Sequence, residues 1–91
     1  MIRDDEAIWL LGMLEAISAK RRIAIRYESL ADNDGETTVK SGLVRLRGAP
    51  VVIVERRLSA RQKCEVLLDA LRHEDLSDVF VPPLVRRLIE E

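Results

Sequence analysis

The sequence predicts an α+β domain with the element order αβββαα: a long helix, a three-stranded antiparallel meander, a second helix and a short C-terminal helix. Three observations lead there. Asp4-Asp5-Glu6 and Lys20-Arg21-Arg22 bracket an apolar segment in the charge order that a helix dipole favours. Val44, Leu46, Val52 and Val54 alternate about a turn taken at Gly48-Ala49-Pro50, which puts them on one side of a hairpin. Ser59 with Gln62 three residues on satisfies orphan backbone donors at a helix start, and Cys64, Leu67, Leu68 and Leu71 then recur at i, i+3, i+4 and i+7.

Taken in order, the first helix carries Leu10, Met13, Leu14 and Ile17 as its main stripe. Ile8, Trp9 and Leu11 extend the apolar character round much of its first half. A helix apolar on two faces is either enclosed or shared between subunits, and a chain of 91 residues has few layers to enclose it. Ile8, Trp9, Leu11 and Met13 are therefore candidate contact residues of a homodimer, with Gly12 permitting a close helix approach. Ile23, Ile25 and Tyr27 alternate with polar or small residues as a first strand. Asp32-Asn33-Asp34-Gly35 is a turn cluster, too short of oxygen ligands and of the wrong spacing for a calcium loop. Residues 36 to 47 favour a second strand, with Gly42 as a bulge, and residues 51 to 57 a third. After the capped helix, Val79-Phe80-Val81 is a short extended piece, and Pro82-Pro83 opens the last helix through Leu84, Val85, Leu88 and Ile89.

Length and the absence of repeats or linkers make residues 1–91 one domain. Fifteen basic and sixteen acidic side chains leave a net charge of −1, which argues against a domain devoted to neutralising phosphates. The charge is uneven, however: Arg45, Arg47, Arg56, Arg57, Arg61 and Lys63 cluster with only Glu55 among them. That cluster is the alternative candidate site, a nucleic-acid contact. The lone Cys64 excludes an internal disulfide and fits a reducing compartment, no apolar run is long enough to span a membrane, and the acidic start does not suit a secretory signal. Cytoplasmic residence without a membrane partner is expected.

No Gly-rich phosphate loop is present, so no nucleotide cofactor is implied. Ser59 is used as a cap, and Cys64 and His73 lie about 13 Å apart along a helix, too far for a nucleophile and its base. The run Val52-Ile53-Val54-Glu55-Arg56-Arg57-Leu58-Ser59 followed by Leu67-Leu68-Asp69-Ala70-Leu71-Arg72-His73 resembles the strand-to-helix passage of ImmA/IrrE-type zinc peptidase domains. Those domains carry a His-Glu-x-x-His helix, whose i, i+4 histidines share one zinc while the Glu deprotonates the bound water. Laid over that pattern, Asp69 stands at the first ligand, Ala70 at the general base and His73 at the second ligand. The resemblance implies a degenerate relative without peptidase activity. Asp69 and His73, with Glu74, Asp75 or Asp78 as a third ligand, are the only metal candidates, and a plain Asp69–His73 contact across one helical turn is expected in their place. The leading expectation is a non-enzymatic interaction or adaptor domain that binds another protein or itself.

Overall fold

The computed structural model describes residues 2–30 and 41–91. Helix α1 (Asp4–Lys20) leads into strand β1 (Ala24–Glu28), strands β2 (Gly42–Leu46) and β3 (Ala49–Glu55) form a hairpin, and helices α2 (Ala60–Leu71) and α3 (Pro83–Glu90) complete the chain. The α+β class and the helix positions agree with the sequence reading. The turn cluster at 32–35 and the first part of the expected second strand lie outside the described residues.

The sheet is mixed, with strand order β1-β3-β2, and is not an antiparallel meander. β3 is the central strand, antiparallel to β2 and parallel to β1, with Ala24 beside Val51 and Tyr27 beside Val54. The first strand thus returns to the hairpin on its far side, a connection that alternation within each strand does not encode.

The hairpin turn is Arg47-Gly48, one step earlier than the expected Gly48-Ala49-Pro50. Both residues have positive φ, 54° and 82°, the backbone of a two-residue turn whose twist matches that of its strands. This step has a large effect, because a one-residue slip moves every side chain of a strand to the other face. Leu43 now pairs with Val52 and packs on the core, whereas Val44 and Leu46, expected inward, are exposed. Pro50 sits within β3 opposite Arg45, outside the part of the strand that β1 pairs, so its missing N–H removes no bond to β1.

Each helix end has an identifiable cause. In α1 the Ile23 N–H donates to Ser18 O (2.8 Å) and the Arg22 N–H to Ala19 O (3.0 Å), with Arg22 in the left-handed region at φ 60°. This pairing closes the helix and turns the chain directly into β1. At the start of α2 the Ser59 hydroxyl accepts from the Gln62 N–H (3.1 Å) while the Ser59 N–H donates to Gln62 Oε1 (3.0 Å). Glu55 ties together the chain ends around residues 31–40, its N–H donating to Ser41 Oγ (2.8 Å) and its carboxylate accepting from the N–H groups of Leu30 (3.0 Å) and Arg57 (2.7 Å). Those two backbone donors hold its carboxyl below the usual range.

The two long helices lie side by side on one face of the sheet and run in the same direction. Asp4 meets Arg61 (3.9 Å) near one end, the Cys64 thiol donates to Ala7 O (3.3 Å), and Arg21 Nε reaches Asp75 O (2.6 Å) beyond the other end. Ala7, Leu10, Leu14 and Ile17 face Cys64, Leu67, Leu68 and Leu71 in a core floored by Val52 and Val54. α3 closes the end of this core with Val85 and Ile89, and the Arg72 guanidinium secures it by donating to Leu88 O (3.1 Å) and Ile89 O (2.8 Å).

Two predictions follow from this packing. Leu67→Ala is expected to cost about 2–5 kcal/mol in denaturant unfolding, and a loss under about 0.5 kcal/mol would refute the burial described. Arg22→Gly is expected to add about 0.5–1 kcal/mol and Gly48→Ala to remove about 1 kcal/mol, because only glycine is unstrained in the left-handed region. Opposite signs in the same assay would contradict the two turns.

Candidate functional site

The candidate site is the outer surface of α1, and it follows from how the helix is seated. With about 100° between successive residues, Ala7, Leu10, Leu14, Ile17 and Ser18 form a continuous stripe on one side, and all five are buried. Ser18 is accommodated there because its hydroxyl donates to Leu14 O (2.8 Å). Opposite this stripe, Ile8, Trp9, Gly12, Ala16 and Ala19 fall within one arc about 100° wide, and all are exposed. Ile8 is 76% and Trp9 55% exposed. No charged residue lies within the arc between Asp5, near its start, and Lys20, beside its far end; half-buried Glu15 borders it and is engaged by the Tyr27 hydroxyl. A helix that only covers a core normally carries its charges there.

The four contact residues read from sequence divide accordingly. Ile8 and Trp9 lie on the arc. Leu11 is half-buried and packs against the core, and Met13 is half-buried on the flank of the arc. Ala16 and Ala19 belong to the surface and were not singled out, although projecting the sequence on a helical wheel places them there. Phe80 and Leu84, exposed beside Pro82-Pro83, were also missed as surface residues.

Gly12 is on the arc, and a Cβ built on it would meet nothing within 4 Å. The fold of one chain therefore gives no reason for glycine in mid-helix, where it costs about 1 kcal/mol relative to alanine.

The basic cluster does not form one surface. Arg45 and Arg47 sit at the turn end of the hairpin, while Arg56, Arg57, Arg61 and Lys63 follow the other end of the seven-residue β3, about 20 Å away. Several are engaged locally. Arg45 pairs with the largely covered Glu74 (3.3 Å), Arg61 with Asp4, and Arg56 donates to Tyr27 O (3.3 Å). Lys63 stands over the Tyr27 ring, 5.3 Å from its centre.

The metal candidates are likewise separated. α2 ends at Leu71, so Asp69 is helical whereas His73 lies beyond the cap, its N–H donating to Ala70 O (3.2 Å). The carboxylate of Asp69 pairs with Arg72 (3.8 Å), so the expected Asp69–His73 contact is replaced by a neighbouring guanidinium. Asp75 accepts from the Ser77 N–H (3.0 Å), and Asp78 approaches Arg21 (4.0 Å). Among the described residues, no three His, Cys, Asp or Glu side chains are gathered where they could hold a metal ion. Ala70 is buried in the core. Comparison with protein-family models, curated proteins and solved structures returned no match. Among the described residues, no helix is long and apolar enough to cross a membrane.

One polar cluster links α1 to β1. The Tyr27 hydroxyl donates to Glu15 Oε2 (2.5 Å), and burial, this hydrogen bond and the carboxylate charge together push the phenol well above its ordinary value. A raised folded-state value contributes stability that is complete below about pH 10, the ordinary phenol value, and is lost as pH climbs above it. Tyr27 is the single tyrosine, so its phenolate absorbance reports it alone. It is expected to ionise above the ordinary value or together with unfolding followed by circular dichroism. Ionisation near the ordinary value in the folded protein would exclude the Glu15 contact.

Proposed function

We propose that this chain is a small non-enzymatic, cytoplasmic interaction domain that self-associates through the outer arc of α1. The observation that carries the reading is the exposure of Ile8 and Trp9 on a helix face without charge from residue 8 to residue 19. Burying the exposed parts of these side chains on both copies offsets much of the cost of association, and the packing of the rest of the arc supplies the net affinity. Gly12 supports the same reading, since a second backbone drawing close gives the glycine a use that the isolated fold does not.

A non-catalytic role is favoured by Ala70, whose methyl group cannot take a proton and is occupied in core packing. Any ancestral link to the ImmA/IrrE-type peptidases would be that of a domain which kept the strand and helix and lost the chemistry. Cys64 offers no nucleophile: it is buried, and burial with the nearby charges of Glu15 and Glu65 pushes its thiol up to about 11.

Sedimentation or light scattering at about 100 μM tests the proposal, a concentration that would populate a dimer of micromolar affinity. The wild-type protein is expected to be dimeric and Trp9→Glu monomeric, with unfolding of the Trp9→Glu protomer changed by less than about 0.5 kcal/mol because the site is exposed. Gly12→Ala is expected to stabilise the protomer by about 1 kcal/mol while weakening the dimer. A monomeric wild-type protein at this concentration rules the proposal out.

A further inference from the structure

The outer arc of α1 is graded along the helix in two independent ways. Its bulky side chains, Ile8 and Trp9, stand in the N-terminal half and its small ones, Ala16 and Ala19, in the C-terminal half. Its charges follow the same direction, with exposed Asp5 at one end and exposed Lys20 at the other. Halfway between these two charges lie Gly12 and Met13, so the position without a side chain is also the middle of the arc.

Two such arcs laid parallel would set bulk against bulk, leave a gap between the small residues, and oppose Asp5 to Asp5 and Lys20 to Lys20. Turned end for end, the bulky half of each meets the small half of the other, and each carboxylate meets an ammonium group. Arg3, which touches both Asp5 (3.3 Å) and Glu6 (3.4 Å), retains Glu6 when Asp5 is engaged elsewhere. We infer that two copies of this chain pair antiparallel about a two-fold axis beside Gly12, with Ile8 and Trp9 of each level with Ala16 of the other and Asp5 of each beside Lys20 of the other. The surface is then self-complementary, and the association closes at a dimer without leaving an unused copy of the contact. This inference rests on the self-association proposed above and adds the orientation.

Cysteine scanning with a short bis-maleimide tests the arrangement, the wild-type protein serving as blank because Cys64 is buried. Gly12→Cys is expected to crosslink to itself. Ile8→Cys and Ala16→Cys are each expected to fail alone, since like positions lie about 12 Å apart along the pair, and to crosslink when the two proteins are mixed. Self-crosslinking of Ile8→Cys without the mixed product would overturn the antiparallel pairing while self-association stands, whereas a wild-type monomer would overturn both. If the new side chain of Gly12→Cys holds the helices apart, the mixed pair still decides.

Charge reversal gives an independent reading. Asp5→Lys and Lys20→Asp are each expected to weaken the dimer about tenfold, because two symmetry-related pairs are lost together. Combining them is expected to restore affinity even though both changes oppose the helix dipole and lower protomer stability. Failure of the double variant to regain affinity would overturn the inference.

Discussion

The interior of this protein depends on covering one strand. Val52 and Val54 of β3 are fully buried, and both long helices must reach that strand from the same side of the sheet. α1 is laid back against its following strand by the reversal at Arg21 to Ile23, and α2 is turned back after β3 by the capped turn at Ser59. Two helices side by side on one face of a sheet leave each helix with an inner stripe and an outer surface. For α2 the division is clean: Cys64, Leu67, Leu68 and Leu71 go in, and Arg61, Glu65 and Asp69 stay out. For α1 it is not, since the outer arc of Ile8, Trp9, Gly12, Ala16 and Ala19 carries no charge, Glu15 standing at its border against Tyr27. The contrast between two helices in the same layer separates what the core requires from the apolar remainder on α1, on which the proposed self-association rests.

Much of this was readable from the residues alone, and the failures have specific causes. Helix limits were visible because capping is local: Ser59 and Gln62 are three residues apart, and the acids of the first turn of α1 sit beside the donors they stabilise. The hairpin turn was misplaced because Pro50 is a strong turn signal whereas Arg47 lacks the Asn or Asp usual before Gly at positive φ. That single step inverted the faces of β2. Parallel pairing of β1 with β3 was not readable, because alternation identifies a strand without naming its neighbour. The excess apolar surface of α1 was visible as composition, yet separating Ile8 and Trp9, which form it, from Leu11 and Met13, which do not, required the direction of the core stripe.

Charge and motif reasoning met the same limit. Residues near one another in sequence on either side of β3, such as Arg47 and Arg56, are carried to opposite ends of the strand, so a cluster on paper becomes two separate groups. The spacing from Asp69 to His73 is one helical turn only while the helix continues, and α2 stops two residues before His73. Sequence distance stands in for spatial distance only within an unbroken element.

The parallel pairing also bears on the chain entropy that folding must overcome. Ala24 and Val51 are neighbours across the sheet although 27 positions separate them, whereas the hairpin and α2 are contiguous from Gly42 to Leu71. Contacts among near neighbours close quickly, and a pairing that must first bring distant segments together carries a larger loss of chain entropy. The contacts of the hairpin with α2 therefore close at a smaller loss of chain entropy than the pairing of β1 with β3. In any form of the chain where that pairing is open, Cys64 and Leu67 lack the Ala7 and Leu10 side of their packing, so the surface laid bare is the one the closed fold hides best.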